Sequence, residues 1–287
     1  NISYMLGNTM TLRANYNMRI NRPGIWYLNP YLNDTDPSYI SQGNSELDSE
    51  KSHAFNLSYS NFTQKFNINL SARYSFTNNS IENVTKLMPD TEIEGLKNPT
   101  GKDVLYSTYA NIGKTRRASV SAYVNWNATP RTRIYMNMSG DYSYMEGSEG
   151  MRNDGWSLFA YGGAQQTLPH DWRISLNVFG QTPWIMLQGK GSSFFDYGLS
   201  VNKSFLNKRL TLSAFASNFF KKYMDQSSTT EGAGFIRESS YKYSRQRFGI
   251  SVSYRIGELK ASVKKAARTI SNDDVKSGGS GSGGGGE

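Results

Sequence analysis

Apolar side chains recur at every second position along most of this chain. Between residues 10 and 20, the even positions from Met10 to Ile20 are apolar and the odd positions are polar or charged. Because successive side chains of a strand point to opposite faces, a period of two predicts strands with one apolar and one polar face. The same period returns in residues 66–76, 118–126, 134–144, 172–178, 195–205, 210–216 and 248–256.

The connections between these strands alternate between short and long. Tight turns marked by Pro, Asn and Asp are expected at 62–64, 128–131, 169–171 and 206–208, and longer connections at about 22–50, 79–103, 146–154 and 223–235, with a brief one near 189–192. Placing the tight turns at one end puts every longer connection at the other. This arrangement gives about ten up-and-down strands, longer than is typical of soluble proteins, with the last at about 236–256. Residues 1–6 read as the end of an earlier strand.

The two faces of the predicted strands carry different residue types. On the apolar face, aromatic residues flank an aliphatic band, with Tyr74, Phe76, Tyr142 and Tyr144 towards the long connections and Trp126 and Trp172 towards the tight turns. Such girdles are typical of outer-membrane barrels, although a soluble β-sandwich also alternates and remains the alternative. The polar face has no apolar run that could pack against a second sheet. Its candidate lumen-facing residues are Arg13, Arg19, Asn67, Asn69, Arg73, Asn137 and Asp141.

The pattern predicts an all-β fold, a transmembrane antiparallel up-and-down β-barrel of about ten strands that forms part of a larger barrel, with a flexible C-terminal tail. Residues 1–257 would hold the strands and loops, and residues 258–287 a periplasmic basic and Gly/Ser-rich tail. The segment 258–271 could form a short helix. Since the chain starts at Asn1 without an export signal, we expect a fragment or a processed form.

Composition narrows the class of protein further. The 287 residues include 19 Tyr, 14 Phe and 5 Trp, which argues against disorder, and no Cys, which excludes disulfides and thiol chemistry. The longest apolar stretches fall short of the ~18 residues of a transmembrane helix. The net charge of +9 invites a nucleic-acid interpretation, but the basic residues are dispersed, so no nucleic-acid partner is expected. Lys86, Lys97 and Lys102 near the outer rim could instead contact lipopolysaccharide phosphates.

The residue types that catalysis requires are scarce. The two histidines, His53 and His170, lie at a strand start and in a tight turn, and no Ser/His pairing is recognisable, so we expect no enzyme. The glycine runs lack the Lys and Ser/Thr of a phosphate-binding loop, and no cofactor is expected. One acidic loop could bind calcium, although it has no EF-hand register. Its carboxylates are Asp34, Asp36, Glu46, Asp48 and Glu50.

The loop after the first full strand carries a specific set of motifs. In order, they are Arg22 and Pro23, then Leu28, Asn29 and Pro30, then Asp36 and Pro37, and finally Gly43, Asn44, Leu47 and Glu50. This order resembles that of the TonB-dependent receptor barrels, especially the outer-membrane β-barrel proteins of Bacteroidetes, with their "GNPxLKPE" element. Ser45, Asp48 and Ser49 depart from that element, replacing its two prolines and its lysine. The C-terminal tail also resembles the extensions of that family.

The resemblance implies a function in the outer membrane of a Gram-negative bacterium. It suggests the carboxy-terminal barrel part of a receptor for nutrient uptake of unknown substrate, which would contact the TonB complex through a plug region upstream. The alternative is a non-transport adhesin or structural barrel. Expected partners are outer-membrane lipid, lipopolysaccharide and the barrel assembly machinery. We expect that machinery to recognise the internal strand ending in Val252, Tyr254 and Ile256, which would leave the tail dispensable.

Overall fold

The structure is a computed structural model that describes residues 1–257 and the backbone of residues 275 and 276, and it is almost entirely β. The first elements are β1 Ile2–Met5, β2 Met10–Pro23, the short helix α1 Ile25–Leu28, β3 Asn33–Asp36, β4 Tyr39–Ser41, β5 Glu50–Phe62, β6 Phe66–Pro89, a 3-10 turn Asp90–Glu92, β7 Asp103–Thr129 and β8 Thr132–Glu146. They are followed by β9 Arg152–Leu168, β10 Trp172–Gln181, β11 Ile185–Met186, β12 Gly189–Lys190, β13 Phe194–Phe205, β14 Leu210–Ser217, β15 Tyr223–Gly232, β16 Phe235–Ser244, β17 Arg247–Tyr254 and β18 Val275–Lys276.

One large antiparallel sheet organises the molecule. Its strands follow the order β1-β2-β5-β6-β7-β8-β9-β10-β13-β14-β17, so neighbours in the sheet are consecutive up-and-down strands. The predicted antiparallel up-and-down architecture is confirmed. β1 pairs with β2 from Ile2 opposite Ala14 to Met5 opposite Thr11, so residues 2–5 lie in a strand of this sheet.

The register separates the two faces of this sheet. Leu12 lies opposite Tyr59, Tyr59 opposite Leu70, and the row continues through Ala122, Met138 and Ala160. The neighbouring row is polar and runs through Arg13, Ser58, Ser71, Ser121 and Ser139. Directly opposed residues of antiparallel strands share a face, so the alternation in sequence becomes one apolar and one polar face from β2 to β8. In β9, β10 and β13, Phe159, Phe179 and Phe194 lie on the polar face.

Tight turns gather at one end of the strands. Residues with positive φ shape two of them, His170 and Asp171 between β9 and β10, and Leu206 to Lys208 between β13 and β14. Within residues 1–257, the longer connections lie at the opposite end, as the sequence predicts. We refer to the long-connection end, residues 24–49, 79–113, 145–152, 182–193 and 219–246, as the loop assembly.

The loop assembly contains more strand than the sequence pattern indicates. Where the sequence predicts a loop over 79–103, β6 and β7 continue as one long hairpin to the pair Pro89 and Asp103. The register shifts between Thr77 and Ser80, and this irregularity interrupts the alternation on which the prediction depends. The predicted last strand, 236–256, is likewise divided into β16 and β17, and β16 pairs with β15 in a second, four-stranded sheet with β11 and β12.

Hydrophobic cores lie in the loop assembly. Tyr27, Leu47 and Ile81 form one buried cluster. A second comprises Ile40, Ile93 and Val104, and a third comprises Met145, Ile185 and Leu187. Among the described residues, helices are too short or too polar to span a bilayer.

The C-terminal tail is described only at β18. Val275 and Lys276 pair in parallel with Arg22 and Pro23, at the end of β2 that leads into the loop assembly. The possible helix over 258–271 and the Gly/Ser-rich run from residue 277 lie outside the described residues. The periplasmic location of the tail as a whole remains a prediction.

Candidate functional site

The polar face of the sheet is the first part of the candidate site. We call the part of this face between the tight turns and the β6–β7 register shift at Thr77 and Ser80 the polar wall. Arg73 of β6 lies opposite Ser119 of β7, which in turn lies opposite Asp141 of β8. Asn69 likewise lies opposite Tyr123, which lies opposite Asn137. The register places all seven candidate lumen-facing residues on this one face, while their position in a water-filled lumen remains a prediction. The seven are Arg13, Arg19, Asn67, Asn69, Arg73, Asn137 and Asp141.

Side-chain hydrogen bonds connect neighbouring strands across the polar wall. The Ser71 and Ser121 hydroxyls are 2.6 Å apart, and Asn69 Nδ2 donates to Ser60 Oγ at 2.8 Å. Asp141 accepts hydrogen bonds from Ser119 and, at 3.5 Å, from Ser139. These contacts fix the polar groups in place while leaving the face hydrophilic.

Positive charge dominates the polar wall. Arginines outnumber carboxylates, and lysine does not occur on this face among the strands described. Arginine presents a planar fork of donors that suits carboxylate and phosphate groups, so this surface is complementary to anions. The arginines are Arg13, Arg19, Arg73, Arg117, Arg133, Arg173 and Arg247, and the carboxylates are Glu50, Asp141 and Asp196.

A cavity of about 410 Å³ opens on this face between β9 and β17, lined in part by Tyr161 and Arg247. At its edge Arg245 forms an ion pair with Asp196, and Asn218 Nδ2 donates to Asp196 Oδ1 at 2.7 Å. Asn218 is buried. Aromatic faces beside guanidinium and amide groups can bind a planar or negatively charged solute.

The motif loop is the second part of the candidate site, and its residues hold one another in place. Tyr27 packs edge-on against Tyr109, with ring centroids 4.5 Å apart, and burial raises the pKa of Tyr27 to about 12. The Gly43 N–H donates to Asn29 O at 3.0 Å, and the Asn44 N–H to Tyr27 O at 2.7 Å. A Cβ at position 43 would overlap the backbone of Asn29, so only glycine fits there.

Side chains of the last motif element tie this loop to the β6–β7 hairpin. Asn44 Nδ2 donates to Tyr109 O at 2.9 Å, and Glu50 Oε1 accepts from the Ile81 N–H at 2.6 Å. Leu47 is buried in the cluster with Ile81. Asn44, Leu47 and Glu50 therefore anchor the loop to the hairpin.

The other motif residues are spread along the loop. Leu28 packs against the Tyr27 cluster, and Pro30 O accepts a hydrogen bond of 2.8 Å from Gln42. Arg22 and Pro23 end β2. Asp36 and Pro37 lie exposed in the β3–β4 turn. The Ser38 hydroxyl and, to a smaller extent, the Ser38 N–H donate hydrogen bonds to Asp36, and these bonds hold the pKa of Asp36 below its usual value.

The acidic residues of this loop have separate structural roles. Asp36 binds Ser38, while Glu50 lies buried against Ile81. Within residues 1–257, the structure brings no three His, Asp or Glu side chains together in a group that could hold a metal ion.

Contacts between loops make the assembly continuous. β4 pairs in parallel with the part of β7 that extends beyond β8. Arg237 of β16 lies 3.8 Å from the centre of the Tyr39 ring. Lys86, one of the lysines predicted to contact lipopolysaccharide, forms an ion pair of 2.7 Å with Glu149.

Residues 1–254 match the sequence family described as "Outer membrane protein beta-barrel family". The chain belongs to this family. Its fold is therefore an outer-membrane β-barrel fold, and its location is the outer membrane of a Gram-negative bacterium. A search of curated protein sequences finds no match.

Solved structures with the same fold include the siderophore receptor PirA from Pseudomonas aeruginosa, with a TM-score of 0.57 and 15% identity over 88% of this chain and 41% of the receptor. The copper transporter OprC has a TM-score of 0.59 and 14% identity, over 88% of this chain and 39% of the transporter. A G324V variant of the ferric enterobactin receptor PfeA from Pseudomonas aeruginosa has a TM-score of 0.54 and 16% identity, over 88% and 39%. The chain thus spans about two fifths of the length of these proteins.

The residues predicted from the sequence do not include Asp196, Asn218 and Arg245 of the cavity. Asn218 and Arg245 lie beyond the ends of β14 and β16, where the period of two stops. Asp196 does fall on the polar parity of β13, and this was the one signal that could have added it to the predicted set.

Proposed function

We propose that this chain forms part of the wall of a TonB-dependent uptake barrel of the kind found in Bacteroidetes. The barrel assembly machinery would insert it, and a plug region would connect it to the TonB complex. The similarity of fold to a siderophore receptor and a copper transporter supports a receptor-like barrel.

The observation that carries the proposal furthest is the arginine-rich polar wall beneath a packed loop assembly. An adhesin needs exposed loops but has no requirement for one sign of charge along its inner wall. Since arginine favours carboxylate and phosphate, we infer that the solute taken up is negatively charged.

Nutrient depletion tests uptake by the full-length protein. Three strains are compared by mass spectrometry of a defined medium: the parent, a strain lacking the gene, and a strain with an inactive TonB complex. We expect at least one anionic solute to be depleted by the parent only. If no solute depends on the gene while attachment to surfaces does, the adhesin interpretation replaces this one.

A bilayer recording tests the charge of the wall separately. The full-length protein is placed in a planar bilayer under a KCl gradient, with urea added to open the pore, and the reversal potential is measured. Arg117→Gln should reduce the preference for chloride over potassium. Arg116→Gln is the matched control, because the adjacent side chain lies on the opposite face, in the row of Phe76 and Tyr144.

A further inference from the structure

A groove interrupts the apolar face of the sheet between β8 and β13. Its floor comprises Val178 and the small residues Ala160, Gly162 and Gly180, on β9 and β10. Taller side chains border it, with Met136 and Leu158 on one side and Phe195 on the other. The volume is about 980 Å³, larger than the cavity on the polar face.

The register explains why the groove follows the strands. Met138, Ala160, Gly180 and Phe195 lie side by side in one row, and Met136, Gly162, Val178 and Tyr197 in another. Adjacent strands are about 4.8 Å apart, so the bordering strands β8 and β13 stand roughly 14 Å apart. This width accommodates an acyl chain laid along the strands.

An aromatic cluster lies at the long-connection end of the groove. Tyr197 meets Phe219 edge-on, with ring centroids 5.1 Å apart, and Phe219 lies 4.5 Å from Phe220. Phe220 is 87% exposed. Large exposed aromatics at the end of an apolar face are typical of the level where hydrocarbon meets lipid headgroups.

Positive charge accompanies these aromatics. Lys221 lines the groove and Lys222 follows it, and both are exposed. Asp225 also lines this end. In outer-membrane barrels the long connections face the cell exterior, which places this end of the groove at the headgroups of the outer leaflet.

We propose that this groove binds lipopolysaccharide, with an acyl chain along the floor of small residues and a lipid A phosphate on Lys221 and Lys222. Apolar volume and positive charge meet at one end of the groove, as a phosphorylated, acylated lipid requires. The floor residues lie on the face opposite the polar wall, and the proposed lipid binding does not rest on the proposed uptake function.

Two substitutions test the two halves of the site in the full-length protein. Ala160→Leu fills the floor, and its control is Ala122→Leu in the same row and face but outside the groove. Lys221→Glu reverses the charge beyond β14, and its control is Lys208→Glu in the tight turn that precedes β14. Heat modifiability in gel electrophoresis first establishes that each variant is folded.

Binding is measured by native mass spectrometry after the lipid-free protein, refolded in neutral detergent, is titrated with purified lipopolysaccharide. Ala160→Leu and Lys221→Glu should each weaken binding about tenfold, and the two controls should bind as the parent does. Dephosphorylated lipid A should bind weakly. Equal binding by all five proteins would overturn the proposal, as would equal affinity for phosphatidylglycerol, which would indicate a general anionic-lipid surface.

Discussion

The strands of the large sheet and the loop assembly differ in how they bury their apolar side chains. Of the twelve buried hydrophobic residues within residues 1–257, eleven lie in the loop assembly, and Ala54 is the exception. On the outer face of the strands, by contrast, Leu70 remains 41% and Val252 66% exposed. The loop assembly therefore buries its apolar side chains in cores of its own, whereas the apolar side chains of the strands contact the bilayer.

This difference predicts that substitutions follow different rules in the two regions. In the strands, the face on which a side chain lies decides the effect, because one face meets hydrocarbon and the other is polar. In the loop assembly, the packing of each side chain against protein decides it. Four experiments test the comparison, in order of decreasing effect.

The largest effect is expected in β17. Changing Val252 and Tyr254 together to Asp should abolish membrane insertion, because both lie on the apolar face opposite Leu212 and Leu210. Ser251 and Ser253, changed together to Asp, are the control, since they occupy the polar face of the same strand. The readout is the heat-modifiable band in the membrane fraction, and its loss in the serine variant would contradict the assignment of faces.

Deletion of residues 258–287 from the full-length parent complements this experiment. We expect it to leave an inserted, heat-modifiable barrel, because β17 completes its pairing with β14 at Tyr254. Loss of insertion after this deletion alone would mean that the tail, including its contact with Arg22 and Pro23, is needed for assembly.

A second pair of variants compares the two faces at mid-strand in β6. Leu70→Arg should cost about 2 to 4 kcal/mol of folding free energy, because it places a charge in hydrocarbon. Ser71→Arg should cost much less, since Ser71 lies on the polar face opposite Ser121. Refolding titrations into lipid vesicles measure both. Equal costs would mean that the register, or the choice of the outward face, is wrong.

The strands were predictable because one local rule governs them. A period of two reports which residues share a face, and the hydrogen-bonded register reproduces that division from Leu12 and Arg13 to Met138 and Ser139. Beyond β8 the division is weaker, because Phe159 and Phe194 continue the row of Arg13. The rule fails at the Thr77–Ser80 irregularity, beyond which the period of two predicts a loop where the structure has two paired strands.

The loop assembly was less predictable because its contacts are distant in sequence. The motif residues Gly43 and Asn44 were recognised from their order, but nothing local indicates that Asn44 binds Tyr109 or that Gln188 binds Thr85. The cavity residues Asn218 and Arg245 are similarly brought together by the meeting of four strand ends. The sequence pattern therefore locates the motif loop but not the residues that the loop contacts.

A third experiment removes one methylene from each region. Ile81→Val should lower the stability of the loop assembly by about 0.5 to 1.5 kcal/mol, because Ile81 is 3% exposed and packed against Tyr27 and Leu47. Ile250→Val on the outer face should have a smaller effect, because mobile lipid fills the space. Hydrogen exchange of the β6–β7 hairpin measures the first, and refolding measures the second. A larger effect at Ile250 would reverse the comparison.

The smallest effect is expected from pH, and it should appear in the loop assembly alone. Asp90 is buried, and its carboxylate accepts hydrogen bonds from the Thr100 N–H at 2.6 Å, the Thr100 hydroxyl at 2.8 Å and the Gly101 N–H at 2.7 Å. These hydrogen bonds hold the pKa of Asp90 below its usual value, and the bond from the Thr100 N–H has the largest effect.

Since the pKa of Asp90 is lowered by folding, its contribution to stability is complete above the ordinary Asp pKa of about 3.9 and is lost as pH falls through the lowered value. Protease cleavage within 91–101 should therefore stay slow down to about pH 4 and accelerate in stronger acid, while the heat-modifiable barrel persists. Asp90→Asn should cleave faster already at neutral pH, and Asp171→Asn, in the tight turn before β10, should behave as the parent. If acid loosened the strands and this hairpin together, the loop assembly would not be the separately stabilised region that its cores indicate.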